Sequence, residues 1–148
     1  ASGKRDYAAS GELWRTAGLD AVGNCTLVDY IYDMPLWMSA TDLAVTRAGA
    51  MTLSELGRMS LPSVLIPSPY VADNHQYLNA KAFADAGAAV LIEEKDLAGG
   101  RLTDALEALL ADDAQLLSMS RAAGTFAGTD AGRCIWEDIT ALTEKKGN

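Results

Sequence analysis

The chain is 148 residues long, with 20 acidic against 12 basic side chains and a formal charge of −8. That length sets one domain with a core of its own as the expectation, and the acidic balance argues against a general nucleic-acid binder, which shows a basic face. No apolar run approaches the roughly 20 residues of a bilayer span, and one His with two distant cysteines, Cys25 and Cys134, makes a zinc site improbable and points to free thiols in a reducing cytoplasm.

In chain order, the first periodic segment predicts a helix over 7–17, with Gly11 as its weak point and Gly18 as its stop; Lys4 and Arg5 read as a solvated helix entry. The β-formers at 25–28 predict a strand. Pro35 then fits the first turn of a short helix capped by Asp33, with Leu36, Trp37 and Ala40 facing inward. Leu43, Ala44 and Val45 form an apolar run of strand length, followed by the small-residue turn Arg47, Ala48, Gly49, Ala50. Thr52 and Glu55 have capping-box spacing for the next helix, and Met51 with Leu56 would form its hydrophobic staple.

That strand, turn and helix start admit two readings. One is an ordinary βα turn with a well-capped helix. The other is an anion site, in which free N–H groups and the helix dipole attract a phosphate. Arg47 favours the second, being a fixed cation at a strand's carboxyl end, where open α/β sheets bind ligands.

A helix to about Met59 ends at Ser60, Leu61 and Pro62, and 63–66 is a fully apolar strand. The loop 67–73, stiffened by two prolines, lies at another strand's carboxyl end. The helix 74–86 opens with His75, Gln76 and Asn79, a polar cluster that either caps and solvates the helix start or reads the hydroxyls of a sugar. A last strand spans 88–92, and Glu93, Glu94, Lys95 and Asp96 read as a solvated charge run. Amphipathic helices follow at 101–110, 113–123 and 130–145. Strands alternating with helices, each strand continuously apolar, predict an α/β fold with a parallel sheet covered by helices on both faces.

The run DLAVTRAGAMTLSEL at 42–56, then Leu61-Pro62, then IPSPYVADNHQYLNA at 66–80, closely resembles the MurG family. GKRDY at 3–7 and YIYDM at 30–34 also fit, so that the resemblance covers essentially the whole chain. Its two long motifs are specific in this order and spacing. MurG enzymes are bacterial transferases that add N-acetylglucosamine to undecaprenyl-linked muramyl-pentapeptide, giving lipid II in peptidoglycan synthesis.

The resemblance implies part of the Rossmann-like C-terminal domain of a GT-B glycosyltransferase, a single partial UDP-sugar-binding domain over 1–148. It implies that the backbone of Ile31 reads the uracil edge and that Met34 lines the nucleotide pocket. Arg47, Ala48, Gly49, Ala50 and Thr52 would hold the diphosphate. Glu55 would accept from the ribose hydroxyls, and Gln76 and Asn79, with His75 beside them, would bind the N-acetylglucosamine hydroxyls. Glu55 cannot serve a capping box and a ribose together; the ribose takes it when donor is bound. No cofactor and no metal is required, and no nucleic acid is a partner. UDP-N-acetylglucosamine and, through the full enzyme, a lipid-linked acceptor are the expected partners.

The chain lacks the family's N-terminal domain, which carries the acceptor-side loops, the proposed catalytic base and the membrane-facing patch. No catalytic residue is therefore expected here. It also lacks the opening of the C-terminal domain, so that in the strand order 3-2-1-4-5-6 the central pair 1 and 2 is missing. The expectation is a piece of a longer chain, completed by an N-terminal domain or a partner chain, cytoplasmic and peripheral on the inner face of the plasma membrane. The alternatives are the donor-binding subunit of a split transferase with a membrane-anchored partner, or a diacylglycerol glycosyltransferase. A UDP-N-acetylglucosamine epimerase fits less well, since its nucleotide-binding motifs are not seen.

Overall fold

The computed structural model describes residues 1–128 and Trp136. The helix expected at 130–145 and Cys134 lie outside the described residues, Trp136 apart. The chain divides into two units, Ala1–Ala40 and Thr41–Asn148. Among the described residues no helix is long and apolar enough to cross a membrane.

The first unit holds helices α1 (Tyr7–Thr16) and α2 (Met34–Ser39). Gly18 adopts φ +71°, the left-handed turn that ends α1 and leads into a 3-10 turn, Leu19–Ala21. Asp33 caps α2 as expected, its carboxylate accepting from the N–H of Leu36. The start of the chain meets the segment after the 3-10 turn: Ser2 N–H donates to Val28 O at 3.1 Å. The Lys4 ammonium stands 5.8 and 5.6 Å from the ring centroids of Tyr30 and Tyr32, so Lys4 is a cation–π partner and not a merely solvated residue.

Two expectations fail in this unit. Residues 25–28 form no strand, because β-structure needs a ladder and, among the described residues, the bond from Ser2 is the one backbone hydrogen bond Val28 makes. Leu36, Trp37 and Ala40 are exposed and not turned inward, since neither α1 nor α2 contains a buried residue against which they would pack.

The second unit is built on a three-stranded parallel sheet, β1 (Ala44–Thr46), β2 (Ser63–Leu65) and β3 (Ala89–Leu91), in the spatial order β1-β2-β3. Val45 pairs with Val64, and Val64 with Val90. Helices α3 (Ala50–Arg58) and α4 (His75–Asp85) are the crossovers, and α5 (Arg101–Leu110) and α6 (Asp113–Gly124) follow β3. All three residues of β2 are buried. Successive strand side chains point to opposite faces, so both faces of this strand are covered, as its unbroken apolar run predicts. Val64, Ile92, Leu109 and Met119 form a core cluster, with Leu43, Leu102 and Leu106 packed against it. Leu110, next to Leu109 on α5, is exposed, because it lies past the buried stripe of the helix.

Helix α6 and the residues after it dock closely on the C-terminal end of α3. A Cβ on Gly57 would lie 2.8 Å from the carbonyl oxygen of Phe126. Phe126 stacks on Phe83 with ring centroids 4.1 Å apart, and Ser120 Oγ donates to Ser60 O at 2.7 Å.

Candidate functional site

The carboxyl ends of the three strands lie side by side, since the strands are parallel and adjacent. From β1 the chain passes through Arg47, Ala48 and Gly49 into α3. Its N-cap is Gly49, with an extended backbone at φ −69°, ψ 147°, and Leu53 N–H makes the helix's first bond, to Gly49 O. The helix therefore starts at Ala50, and Thr52 sits inside its first turn.

This overturns the expected capping box. No side chain caps α3, Glu55 is exposed one turn further on, and Met51, 78% exposed, makes no staple with the fully buried Leu56. Ala50 and Met51 adopt helical backbone without help, which moves the cap three residues, from Thr52 to Gly49. The consequence favours the anion reading. The N–H groups of Ala50, Met51 and Thr52 have no intrahelical acceptor, and no acidic residue occupies the first turn to repel an anion. Thr52 Oγ1 lies 3.8 Å from where a Cβ on Gly49 would stand, which sets its hydroxyl over the helix start.

Four contacts tie this turn to the neighbouring strand ends. Arg47 Nη1 donates to Ile66 O at 3.2 Å and Pro67 O at 3.4 Å, where β2 gives way to the proline loop. Ser68 N–H donates to Gln76 Oε1 at 2.9 Å. One turn along α4, Asn79 Nδ2 donates to Ala48 O at 3.2 Å, which returns the path to the residue beside Arg47. The turn 47–49, the corner 66–68 and the first turns of α4 thus form a closed circuit.

The circuit extends to β3 through Glu94, whose Oε2 meets Arg47 Nη1 at 2.6 Å. Glu94 opens a 3-10 segment, Glu94–Gly99. Sequence reasoning assigned it to a solvated charge run and missed it. The available signal was positional: Glu94 follows β3 as Arg47 follows β1, and opposite charges at the same end of one sheet are within reach of each other. Lys95, by contrast, pairs with Glu93 at 3.1 Å on the surface; that hydrogen bond, with the carboxylate's charge behind it, raises the Lys95 pKa. A hollow of about 120 Å³ opens between Pro67, Pro69, Tyr77, Glu93 and Lys95 at this end of the sheet.

The structure thus brings Arg47, Ala48, Gly49, Ala50, Thr52, Gln76 and Asn79 together at one end of the sheet. Glu55 lies on the same helix, and exposed His75 opens α4. Gln76 and Asn79 are half-buried, and each spends part of its amide on the backbone while keeping N–H groups for a ligand. Ile31, half-buried, and Met34, the first residue of α2, belong to the first unit.

The profile described as glycosyltransferase family 28 C-terminal domain matches residues 1–132. A curated relative from Exiguobacterium sibiricum, named as a UDP-N-acetylglucosamine--N-acetylmuramyl-(pentapeptide) pyrophosphoryl-undecaprenol N-acetylglucosamine transferase, is 48% identical over 117 residues, covering 79% of this chain and 31% of the relative. Its namesake from Moorella thermoacetica is 39% identical over 145 residues, covering 97% of this chain and 39% of the relative. The crystal structure of Acinetobacter baumannii MurG superposes with a TM-score of 0.78 at 29% identity, covering 94% of this chain and 41% of that one. The chain spans roughly a third of the length of the curated relatives it matches. On the extent of that match, the chain belongs to the family of glycosyltransferase family 28 C-terminal domains.

Proposed function

We propose that the second unit binds the diphosphate and sugar of UDP-N-acetylglucosamine. In the whole protein it would serve an inverting transferase that moves N-acetylglucosamine to an undecaprenyl-linked muramyl-pentapeptide. The observation that carries this reading is the hydrogen bond from Asn79 to Ala48 O, which joins a phosphate-type helix start to a sugar-type polar cluster. A nucleotide diphosphate sugar needs both halves at that spacing.

In this reading the free N–H groups of Ala50, Met51 and Thr52 face the diphosphate, with Gly49 admitting it closely. Glu55 accepts from the ribose diol, a recurring role for a carboxylate in nucleotide-binding α/β folds. Gln76 and Asn79 bind sugar hydroxyls, with His75 beside them. Ile31 and Met34 keep their uracil and nucleotide assignments on the motif alone. The acceptor hydroxyl attacks the anomeric carbon, the bond to the UDP oxygen breaks, and the departing diphosphate gathers charge. The α3 helix start is oriented to stabilise that charge before it develops. An N-terminal domain supplies the acceptor side and the base. The polyprenyl tail of the acceptor puts the reaction at the inner face of the plasma membrane, with the enzyme peripheral to it.

Amide NMR of this chain with and without UDP-N-acetylglucosamine tests the donor assignment. Shifts concentrated in residues 49–55 and 76–79 are expected. A dispersed spectrum that ignores millimolar nucleotide sugar would sink it.

A further inference from the structure

We propose that Glu94 is a positioning residue of the donor site, resting on the reading just given. It locks Arg47 across the ends of all three strands, so that Arg47 holds the phosphate turn in place and does not itself ligate the diphosphate. Arg47 Nη1 carries two hydrogens and meets three acceptors: Glu94 Oε2 at 2.6 Å, Ile66 O at 3.2 Å and Pro67 O at 3.4 Å.

The carboxylate contact is the short, charge-assisted one and takes one hydrogen; the two carbonyls share the other. The side chain is half exposed, with 51% of its surface open, so burial does not hold it. A long exposed guanidinium loses rotamer freedom only where contacts compensate. Glu94, its own side chain 32% exposed, is the charged member of that set. With Glu94 in place, Arg47 fixes the corner at Ile66 and Pro67, and the next N–H, of Ser68, meets Gln76. The effect of Glu94 thus reaches the proposed sugar-binding amide of Gln76 through three hydrogen-bonded steps. Its carboxylate also offsets the Arg47 charge, which leaves the helix start as the main attraction for phosphate.

The rival arrangement has Glu94 competing with the diphosphate for Arg47. The two predict opposite signs. The experiment compares the chain with its E94Q, E94D and R47K variants, measuring UDP-N-acetylglucosamine affinity by calorimetry and amide hydrogen exchange at Ser68 without nucleotide. Positioning predicts that E94Q weakens affinity about fivefold, the loss of the charge behind one half-exposed contact, and speeds Ser68 exchange. E94D restores part of both, and R47K, which lacks the planar fork, behaves like E94Q. The melting temperature stays near that of the parent chain, because the pair is half exposed. An E94Q variant that binds as well as the parent, or more tightly with steeper salt dependence, overturns the proposal. If the parent chain binds no nucleotide sugar, the donor reading fails by itself. The exchange rate then decides: faster exchange in E94Q upholds the brace, and unchanged exchange overturns it.

Discussion

Asn79 reaches across 31 positions of sequence to hold the carbonyl oxygen of Ala48, the residue one step before the N-cap of α3. The contact gives Asn79 two duties in the donor reading, one toward the sugar and one toward the phosphate turn. Removing its side chain by Asn79→Ala should therefore weaken UDP as well as UDP-N-acetylglucosamine, the former by about 1 kcal/mol for a lost hydrogen bond to a held carbonyl. Calorimetry with both ligands measures this. A residue that touched only sugar would leave UDP affinity unchanged.

Glu55 is exposed and caps nothing, so its contribution to folding is small. Glu55→Ala should leave the melting temperature within a degree or so of the parent, since exposed substitutions change stability by less than about 0.5 kcal/mol. It should nevertheless weaken UDP binding by about 1–3 kcal/mol by stranding a ribose hydroxyl. Equal UDP affinity in the two proteins would return Glu55 to an ordinary surface role.

Gly57 and Gly124 offer a contrast in how tightly α6 meets α3. A methyl group on Gly57 meets the Phe126 backbone at 2.8 and 2.9 Å, whereas one on Gly124 meets the Ser60 hydroxyl at 2.8 Å, an atom that can rotate away. Alanine is the better helix former at both places by about 1 kcal/mol. Overpacking against backbone costs about 1–3 kcal/mol, so Gly57→Ala should lower the melting temperature. Gly124→Ala should be neutral or mildly stabilising. Thermal unfolding of the two variants compares them directly; equal melting temperatures would mean that α6 shifts freely on α3.

The hydroxyl of Ser63 is buried in the central strand, between Ala44 and Ala89 in register, and finds no hydrogen-bond partner among the described residues. An unpaired buried hydroxyl costs roughly 1–3 kcal/mol. Ser63→Ala should raise stability by part of that, less what is lost in packing, and leave UDP affinity alone because the residue lies at the opposite end of β2 from the site. Denaturant unfolding would expose the error as a lower midpoint for Ser63→Ala.

The three strands of the second unit and the helices between them were legible because their signals are local. Apolar runs at 43–45, 63–66 and 88–92 need no knowledge of the rest of the chain. The helix start at Gly49 was misplaced because capping-box spacing between Thr52 and Glu55 also occurs inside a helix that has already begun. The segment 25–28 was misread because a strand exists only beside another. The pairing of Arg47 with Glu94 depends on strand order, which brings together residues 47 positions apart. Within the site, residue types and their helix faces were readable. Which backbone groups they hold was not, since Ala48 O and Ser68 N–H carry no signature in sequence.

The closed circuit that runs from Arg47 through the 66–68 corner, Gln76 and Asn79 back to Ala48 has an arithmetic of its own. In an open series of contacts each deletion removes its own share. In a ring, the first break frees the segments on both sides, and a second break finds them already loose. Single substitutions at Arg47, Gln76 and Asn79 should each look expensive in donor affinity, and pairs of them should cost less than the sum. The energy belongs to the ring, and no residue in it has a share that can be assigned from one alanine.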